Sequence, residues 1–245
     1  MDMNSLIIIP TYNEKENIKN LIPQILNISD IFNVLVIDDA SPDGTGEVVD
    51  GLKKRFPDRI FVIHRKGKLG FASAYLEGFQ LALKMDVDYI ITMDADFSHN
   101  PQYLPRIIER FKDYDVVIGS RYMYGTVSVV NWPIKRLILS RLANLYAKIV
   151  TGLQVNDCTS GFIGYKREVL EKIGIANILS DGYSFLIEMK YRAQKKGYKL
   201  VEIPIIFEER RLGQSKMSKK IMFEAIFVVF RLKFSNLIKK FYCNI

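Results

Sequence analysis

The chain has 245 residues, 49% of them hydrophobic and 25% charged, which are values of a globular protein with room for one sizeable α/β domain. Two cysteines and two histidines, far apart in the sequence, exclude a disulfide framework and a zinc cluster, and the thiols are expected to be free in a reducing compartment. The net charge is +8; no run of 18 apolar residues occurs, and Met1-Asp2-Met3-Asn4 lacks the basic start of a secretory leader, so neither a transmembrane helix nor a signal peptide is expected.

Ser5-Leu6-Ile7-Ile8-Ile9 is short, apolar and β-branched, as a strand buried in a parallel sheet should be. A loop follows, Pro10-Thr11-Tyr12-Asn13-Glu14, in which Asn13 is expected to cap a helix that turns Ile18, Leu21, Ile22 and Ile25 inward. Val34–Ile37 is the second strand, and Asp38–Thr45 is an acidic turn. A helix to Arg55, a strand at Ile60–Ile63 and a helix over Leu69–Lys84 with Tyr75, Phe79 and Leu83 inward come next. Gly67-Lys68-Leu69-Gly70 reads either as a phosphate loop or as a basic turn opening that helix. Ile90, Ile91 and Met93 mark a further strand, Pro101 opens a helix, and Asp115–Ile118 is a strand. Four alternations of strand and helix predict a parallel, right-handed α/β sheet.

Carboxylates recur where these strands stop: Asp38 and Asp39 after the second, Asp94 and Asp96 after the fourth. Ligands bind outside the carboxyl ends of parallel strands. A D-x-D there can be a solvated turn, but it also places oxygen donors where Mg²⁺ or Mn²⁺ would share a substrate phosphate. Arg121 follows the fifth strand in Gly119-Ser120-Arg121-Tyr122. Neither a Walker loop nor a G-x-G-x-x-G is present, which argues against a P-loop NTPase and a standard NAD enzyme. What remains is a cation-assisted, phosphate-handling cleft.

The second half is more basic. Residues 190–245 hold 14 Lys/Arg against 4 Asp/Glu, and Val116–Asn156 contains no acid at all. Ile134–Val150 spaces Ile134, Leu137, Ile138, Leu142, Leu145 and Ile149 among Lys135, Arg136, Arg141 and Lys148. That is an amphipathic basic helix, fit for a membrane interface or for packing on a core. Asp157–Phe162 leads into a strand to Tyr165, a helix spans Tyr183–Lys196, and Lys199–Phe207 is a strand before a polar loop reaching Lys216. Residues 217–245 predict a basic amphipathic helix with only six consecutive apolar residues, Ala225–Phe230. It is too short in apolar length to span a bilayer and is expected to lie on a membrane, on a membrane-embedded partner or in a dimer contact.

Taken together, Pro10–Glu14, Ile37–Thr45, Met93–His99, Gly119–Tyr122, Thr159–Phe162 and Arg210 to Lys216 resemble the motif series of dolichol-phosphate (polyprenol-phosphate) mannose synthases, within glycosyltransferase family 2. The resemblance implies a GT-A fold over residues 1–216 and inverting transfer of mannose from GDP-mannose to a dolichyl or polyprenyl monophosphate. It places Pro10, Tyr12, Glu14, Ile37 and Asp39 on the guanosine, and Met93, Asp94, Ala95 and Asp96 on the donor, with Asp94 and Asp96 on Mg²⁺ or Mn²⁺. Arg121, Arg210 and Lys216 match cations near the phosphates, with Asp96 and Arg121 at the reaction centre. Arg136 and Ser140 on the basic helix are the candidates for the acceptor phosphate. Ile163, where the family often has Arg, and Ala72, where it often has Gly, depart from the pattern. A peripheral enzyme on the cytoplasmic face of a membrane follows, with a separate membrane subunit as a candidate partner for the last helix.

A phosphate monoester is largely dianionic at pH 7, so no histidine base is required. A UDP-sugar transferase of the same fold is the alternative. Nucleic-acid binding is disfavoured, because the basic residues alternate with aliphatic ones rather than with stacking aromatics.

Overall fold

The computed structural model describes residues 4–178, 180–208 and 227–234. Arg210, Lys216 and most of the predicted last helix lie outside the described residues. In chain order the elements are β1 (Ser5–Thr11), α1 (Lys15–Ile28), β2 (Phe32–Asp38), α2 (Thr45–Arg55), β3 (Ile60–His64), α3 (Phe71–Ala82), β4 (Tyr89–Thr92), α4 (Leu104–Arg110), β5 (Val116–Ser120), β6 (Val129–Val130), α5 (Ile134–Thr151), β7 (Ile163–Lys166), α6 (Arg167–Lys172), α7 (Gly182–Lys195), β8 (Leu200–Pro204) and β9 (Phe207–Glu208). A further helical segment covers 227–234.

Seven strands form one sheet in the order β3-β2-β1-β4-β7-β5-β8. All its pairs are parallel except those of β7, which runs antiparallel between β4 and β5. This is the mostly parallel α/β sheet that the alternation of apolar runs requires, with one reversed strand that alternation could not signal. Successive side chains of β1 point to opposite faces. Leu6 and Ile8 therefore join Leu35, Ile37, Tyr75 and Phe79 in one core cluster, while Ile7 and Ile9 join Val34, Val36, Ile18 and Leu21 in the other. Val229 of the segment 227–234 is buried in the first cluster.

Two glycines let helices approach the sheet. A Cβ on Gly78 of α3 would lie 2.7 Å from Ile8 Cγ2, and one on Gly164 of β7 would lie 2.6 Å from Ile107 Cγ2 of α4. Two expectations need correction. Asn13 does not cap α1: it takes φ 61°, Glu14 is the cap residue without a side-chain bond, and the Asn13 amide donates to Ser41 Oγ instead. The strand predicted over Lys199–Phe207 divides, because β9 leaves β8 to pair with β6 in a separate ribbon. Of the two placements open for α5, at a membrane interface or on a core, its aliphatic stripe does not take the second. Its buried residues are Asn144, Ala147 and Thr151, whereas Ile134, Ile138, Leu142, Leu145 and Ile149 are 54–74% exposed.

Candidate active site

The register of the sheet decides which side chains meet. Thr11 pairs with Asp38, so β1 and β2 end level; Thr92 pairs with Ile8, so β4 stops short of them. Met93 donates its amide to Ile8 O at 3.1 Å, and the chain then bends through Asp94-Ala95-Asp96 beyond the end of β4.

On the β1–β2 side, Asp38 is structural. Its carboxylate accepts from Thr11 Oγ1 at 3.0 Å, Ser41 Oγ at 2.6 Å and the Ser41 amide at 3.1 Å. Asp43 likewise holds the Thr45 hydroxyl and the Lys15 amide. Asp39 is different: its Oδ1 accepts from Arg65 Nη1 at 2.5 Å in a buried ion pair. Arg65 is fixed in turn by Ser73 Oγ at 2.7 Å and by Glu77, 3.1 Å from its Nε without hydrogen-bond alignment. The sequence reading missed Arg65, although its place one residue past a strand end was a usable signal. Pro10 pairs with Ile37 in the adjoining strands, and Tyr12 lies under the Lys68 ammonium at 4.3 Å. Glu14 donates its amide to Thr45 Oγ1 and accepts from Asn17.

On the β4 side, Asp96 is buried, and its Oδ1 accepts from the Ser98 amide at 3.1 Å and the Ser98 hydroxyl at 2.5 Å. Asp94 is partly exposed. Beneath them lies His99, fully buried, whose Nδ1 accepts the Asp94 amide at 3.0 Å. A nitrogen that accepts carries no proton, so the ring is the neutral form protonated at Nε2. Burial lowers its pKa against the upward pull of Asp94 and Asp96, and the 3.9 Å approach to Asp94 Oδ2 is therefore not an ion pair. The ring stacks on Phe162 at 5.0 Å and meets Phe207 edge-on at 5.6 Å. Tyr75 rises through the core from α3 to donate to Met93 O at 3.4 Å. Burial, and then the charge of Asp94, push its phenol well above the ordinary value.

The loop before β7 ties this centre to β5. Gly161 O accepts from Thr92 Oγ1 at 2.7 Å, and Ser160 Oγ donates to Gly119 O at 2.6 Å. Lys190 of α7, fully buried, donates to the carbonyls of Cys158 at 3.0 Å and Ser160 at 2.7 Å. Burial outweighs the Asp157 charge and lowers its pKa to about 8.

Arg121, expected near the phosphates, is buried in an ion pair. Its Nε and Nη2 grip Asp157 at 2.7 and 2.6 Å, and Nη2 also donates to Thr159 Oγ1 at 2.8 Å. Tyr122, Trp132 and Phe207 surround the guanidinium at 5.4–5.5 Å. Burial alone would raise the Asp157 pKa, but the Arg121 charge and hydrogen bonds hold it below the ordinary carboxylate range. The pair carries no net charge. On α5, Ser140 Oγ accepts from Tyr122 OH at 2.7 Å, and the Arg136 guanidinium lies 4.2 Å over Trp132. Asn144 pins the helix to Thr159 through two bonds, at 3.1 and 3.2 Å.

The family model for glycosyl transferase family 2 matches residues 6–174, the span that holds every one of these loops. The chain belongs to glycosyltransferase family 2. Two curated relatives in this family match over nearly the whole chain. A polyprenol monophosphomannose synthase of Mycolicibacterium smegmatis is 44% identical over 92% of this chain and 85% of its own length. An undecaprenyl-phosphate mannosyltransferase of Micrococcus luteus is 42% identical over 94% and 93%. Among solved structures, glucosyl-3-phosphoglycerate synthase from Mycobacterium tuberculosis, in complex with Mn²⁺, UDP and phosphoglyceric acid, superposes with a TM-score of 0.65 at 16% identity, covering 95% of this chain and 78% of that one. A mannosyltransferase from Pyrobaculum calidifontis in complex with GDP-Man and Mn²⁺ gives 0.56 at 18% identity, covering 94% and 69%. The fold is thus the GT-A type seen in glycosyltransferases, and the chain is a glycosyltransferase.

Proposed function

We propose that this glycosyltransferase moves mannose from GDP-mannose to a polyprenyl monophosphate with inversion at the anomeric carbon. The near-full-length match to two relatives named for mannose transfer to polyprenyl phosphate carries the reading. The loops after β1 and β2, with Pro10, Tyr12, Glu14, Ile37 and Asp39, are assigned to the guanosine. Arg65 fixes the Asp39 carboxylate so that its other oxygen can accept from the base or ribose. Met93 and Ala95 belong to the donor wall.

Asp94 and Asp96 suit a divalent cation. They are hard oxygen donors at a strand end, and among the described residues no third acid, His or Cys completes a cage. Mg²⁺ and Mn²⁺ are typically held by one or two carboxylates and share their remaining positions with water and substrate phosphates. When bound, the ion would neutralise the diphosphate and stabilise the departing GDP. The acceptor phosphate brings its own nucleophilic oxygen, largely dianionic at pH 7, so the protein need hold it rather than deprotonate it. Arg136 and Ser140 are assigned to that phosphate. Arg121 holds Asp157 and Thr159 as the wall between the two phosphates, and Arg210 and Lys216 remain candidates for further phosphate contact.

A prenyl chain stays in a bilayer, so the mouth of the site should face one. No helix among the described residues is long and apolar enough to cross a membrane. The outward aliphatic stripe of α5, bordered by Lys135, Arg136, Arg141 and Lys148, suits a helix lying in the headgroup region.

The test is transfer of labelled mannose from GDP-mannose to a short polyprenyl phosphate in detergent, with Mg²⁺, Mn²⁺ or chelator. Metal-dependent labelled lipid that Asp96→Ala abolishes is the expected result. Labelled lipid formed from UDP-glucose in preference to GDP-mannose would overturn the donor, and sugar release without lipid product would overturn the acceptor.

A further inference from the structure

Trp132 is the single tryptophan of the chain, and its indole nitrogen is buried without a hydrogen-bond partner among the described residues. An indole N–H is a donor only, and a buried donor left unpaired destabilises the folded state. Most buried polar groups in native proteins are paired, so such an orphan calls for an explanation. The ring is not a loose surface group. Phe207 meets it edge-on at 5.5 Å, and two guanidinium groups lie near it, Arg136 at 4.2 Å and Arg121 at 5.5 Å. The Arg121 charge is taken up by Asp157; the acid-free stretch around Trp132 offers no carboxylate of its own to the N–H. An indole donor with no acceptor among the described residues is complementary to an anion.

We infer that the Trp132 indole N–H is a phosphate-binding donor, which pairs with an oxygen of the acceptor monophosphate when Arg136 engages it. The inference rests on the reading of the site as a polyprenyl-phosphate transferase and adds to it a residue that holds the acceptor headgroup. The Arg136 guanidinium lies over the indole ring. An incoming phosphate draws Arg136 to itself and presents an oxygen to the N–H. The aromatic ring thereby keeps Arg136 in place before binding, and its N–H gives the monophosphate one directed bond that a diffuse positive charge does not.

Because Trp132 is the sole indole, its fluorescence reports on this position alone. A short prenyl phosphate, the prenyl alcohol of the same length, inorganic phosphate and GDP are titrated into the full chain in detergent. The expected result is a saturable change of emission with prenyl phosphate, a weaker one with inorganic phosphate at much higher concentration, and none with the alcohol or GDP. Trp132→Phe keeps a ring for Arg136 and Phe207 but has no donor. It should raise the KM for prenyl phosphate about tenfold, the scale of one hydrogen bond to a charged group, and leave kcat and the KM for GDP-mannose nearly unchanged. It should also melt no lower than the wild type, since it removes an unpaired donor, whereas a purely structural tryptophan would lower the melting temperature without moving KM selectively. An equal response to the alcohol, a response to GDP alone, or an unchanged acceptor KM in Trp132→Phe overturns the inference. If Arg136→Ala also leaves the acceptor KM unchanged, the placement of the acceptor falls with it; if Arg136→Ala raises it and Trp132→Phe does not, only the role of the indole falls.

Discussion

Two residues at the centre act through others, and each can be separated from simple bulk. Asp157 is fully buried and takes both forks of Arg121. Asp157→Asn leaves a guanidinium buried without its counter-charge, a change of about 3–5 kcal/mol in similar buried pairs. Urea unfolding should show a loss of that size. The pH dependence follows from the direction of the Asp157 shift. Its folded pKa lies below the unfolded one, so the pair's contribution is complete above the ordinary carboxylate pKa, near 3.9, and is lost as pH falls through the folded value. The mutant should lack this acid-side loss. His99 offers a second separation. His99→Asn retains an oxygen in reach of the Asp94 amide, while His99→Phe retains the stack on Phe162 and loses the acceptor. If the amide bond sets the posture of Asp94, the Phe variant needs several-fold more Mn²⁺ for half activity and the Asn variant stays near wild type. Equal metal dependence in both would leave His99 a packing residue.

At the scale of elements, α5 has the inverse of ordinary amphipathicity. A helix packed on a core buries its aliphatic stripe, yet here Asn144, Ala147 and Thr151 face inward and the aliphatic residues face out. Asn144 explains the orientation. Its amide satisfies the Thr159 backbone and hydroxyl, and turning the helix over would leave those groups and its own amide buried and unpaired. Ile138→Ser, Leu142→Ser and Leu145→Ser combined should therefore leave thermal stability within about 1 kcal/mol, as surface changes do. The same variant should bind lipid vesicles at least several-fold more weakly in a flotation assay. A loss of several kcal/mol would mean that the stripe is core after all. The periodicity of α5 was legible in the sequence, but its direction was not, because spacing gives the angle between residues and not which side faces the sheet.

At the scale of the whole molecule, charge is unevenly placed: the excess of Lys and Arg lies in Val116–Asn156 and in residues 190–245. Basic residues near an anionic leaflet contribute about 1 kcal/mol each and are screened over about 10 Å at 0.1 M salt. Association with phosphatidylserine vesicles should exceed that with neutral vesicles and fall steeply between 50 and 500 mM salt, with an apolar remainder from α5; salt-independent binding would remove the electrostatic part. The local rules of the chain determined the α/β class, the order of its strands and helices to β5, and the acids at the strand ends, because apolar periodicity and turn chemistry are properties of short segments. The motif series likewise marked Asp94 and Asp96. Only the tertiary structure decided that β7 runs antiparallel into the sheet, that β9 leaves β8 for β6, and that Arg65, His99, Asp157 and Lys190 hold the site's loops. Those outcomes depend on partners 5 to 36 positions away in the chain: His99 with Asp94, Arg65 with Asp39, Arg121 with Asp157 and Lys190 with Ser160. No local pattern encodes such distances; they are set when the sheet brings its strand ends together and buried charges and donors must find each other.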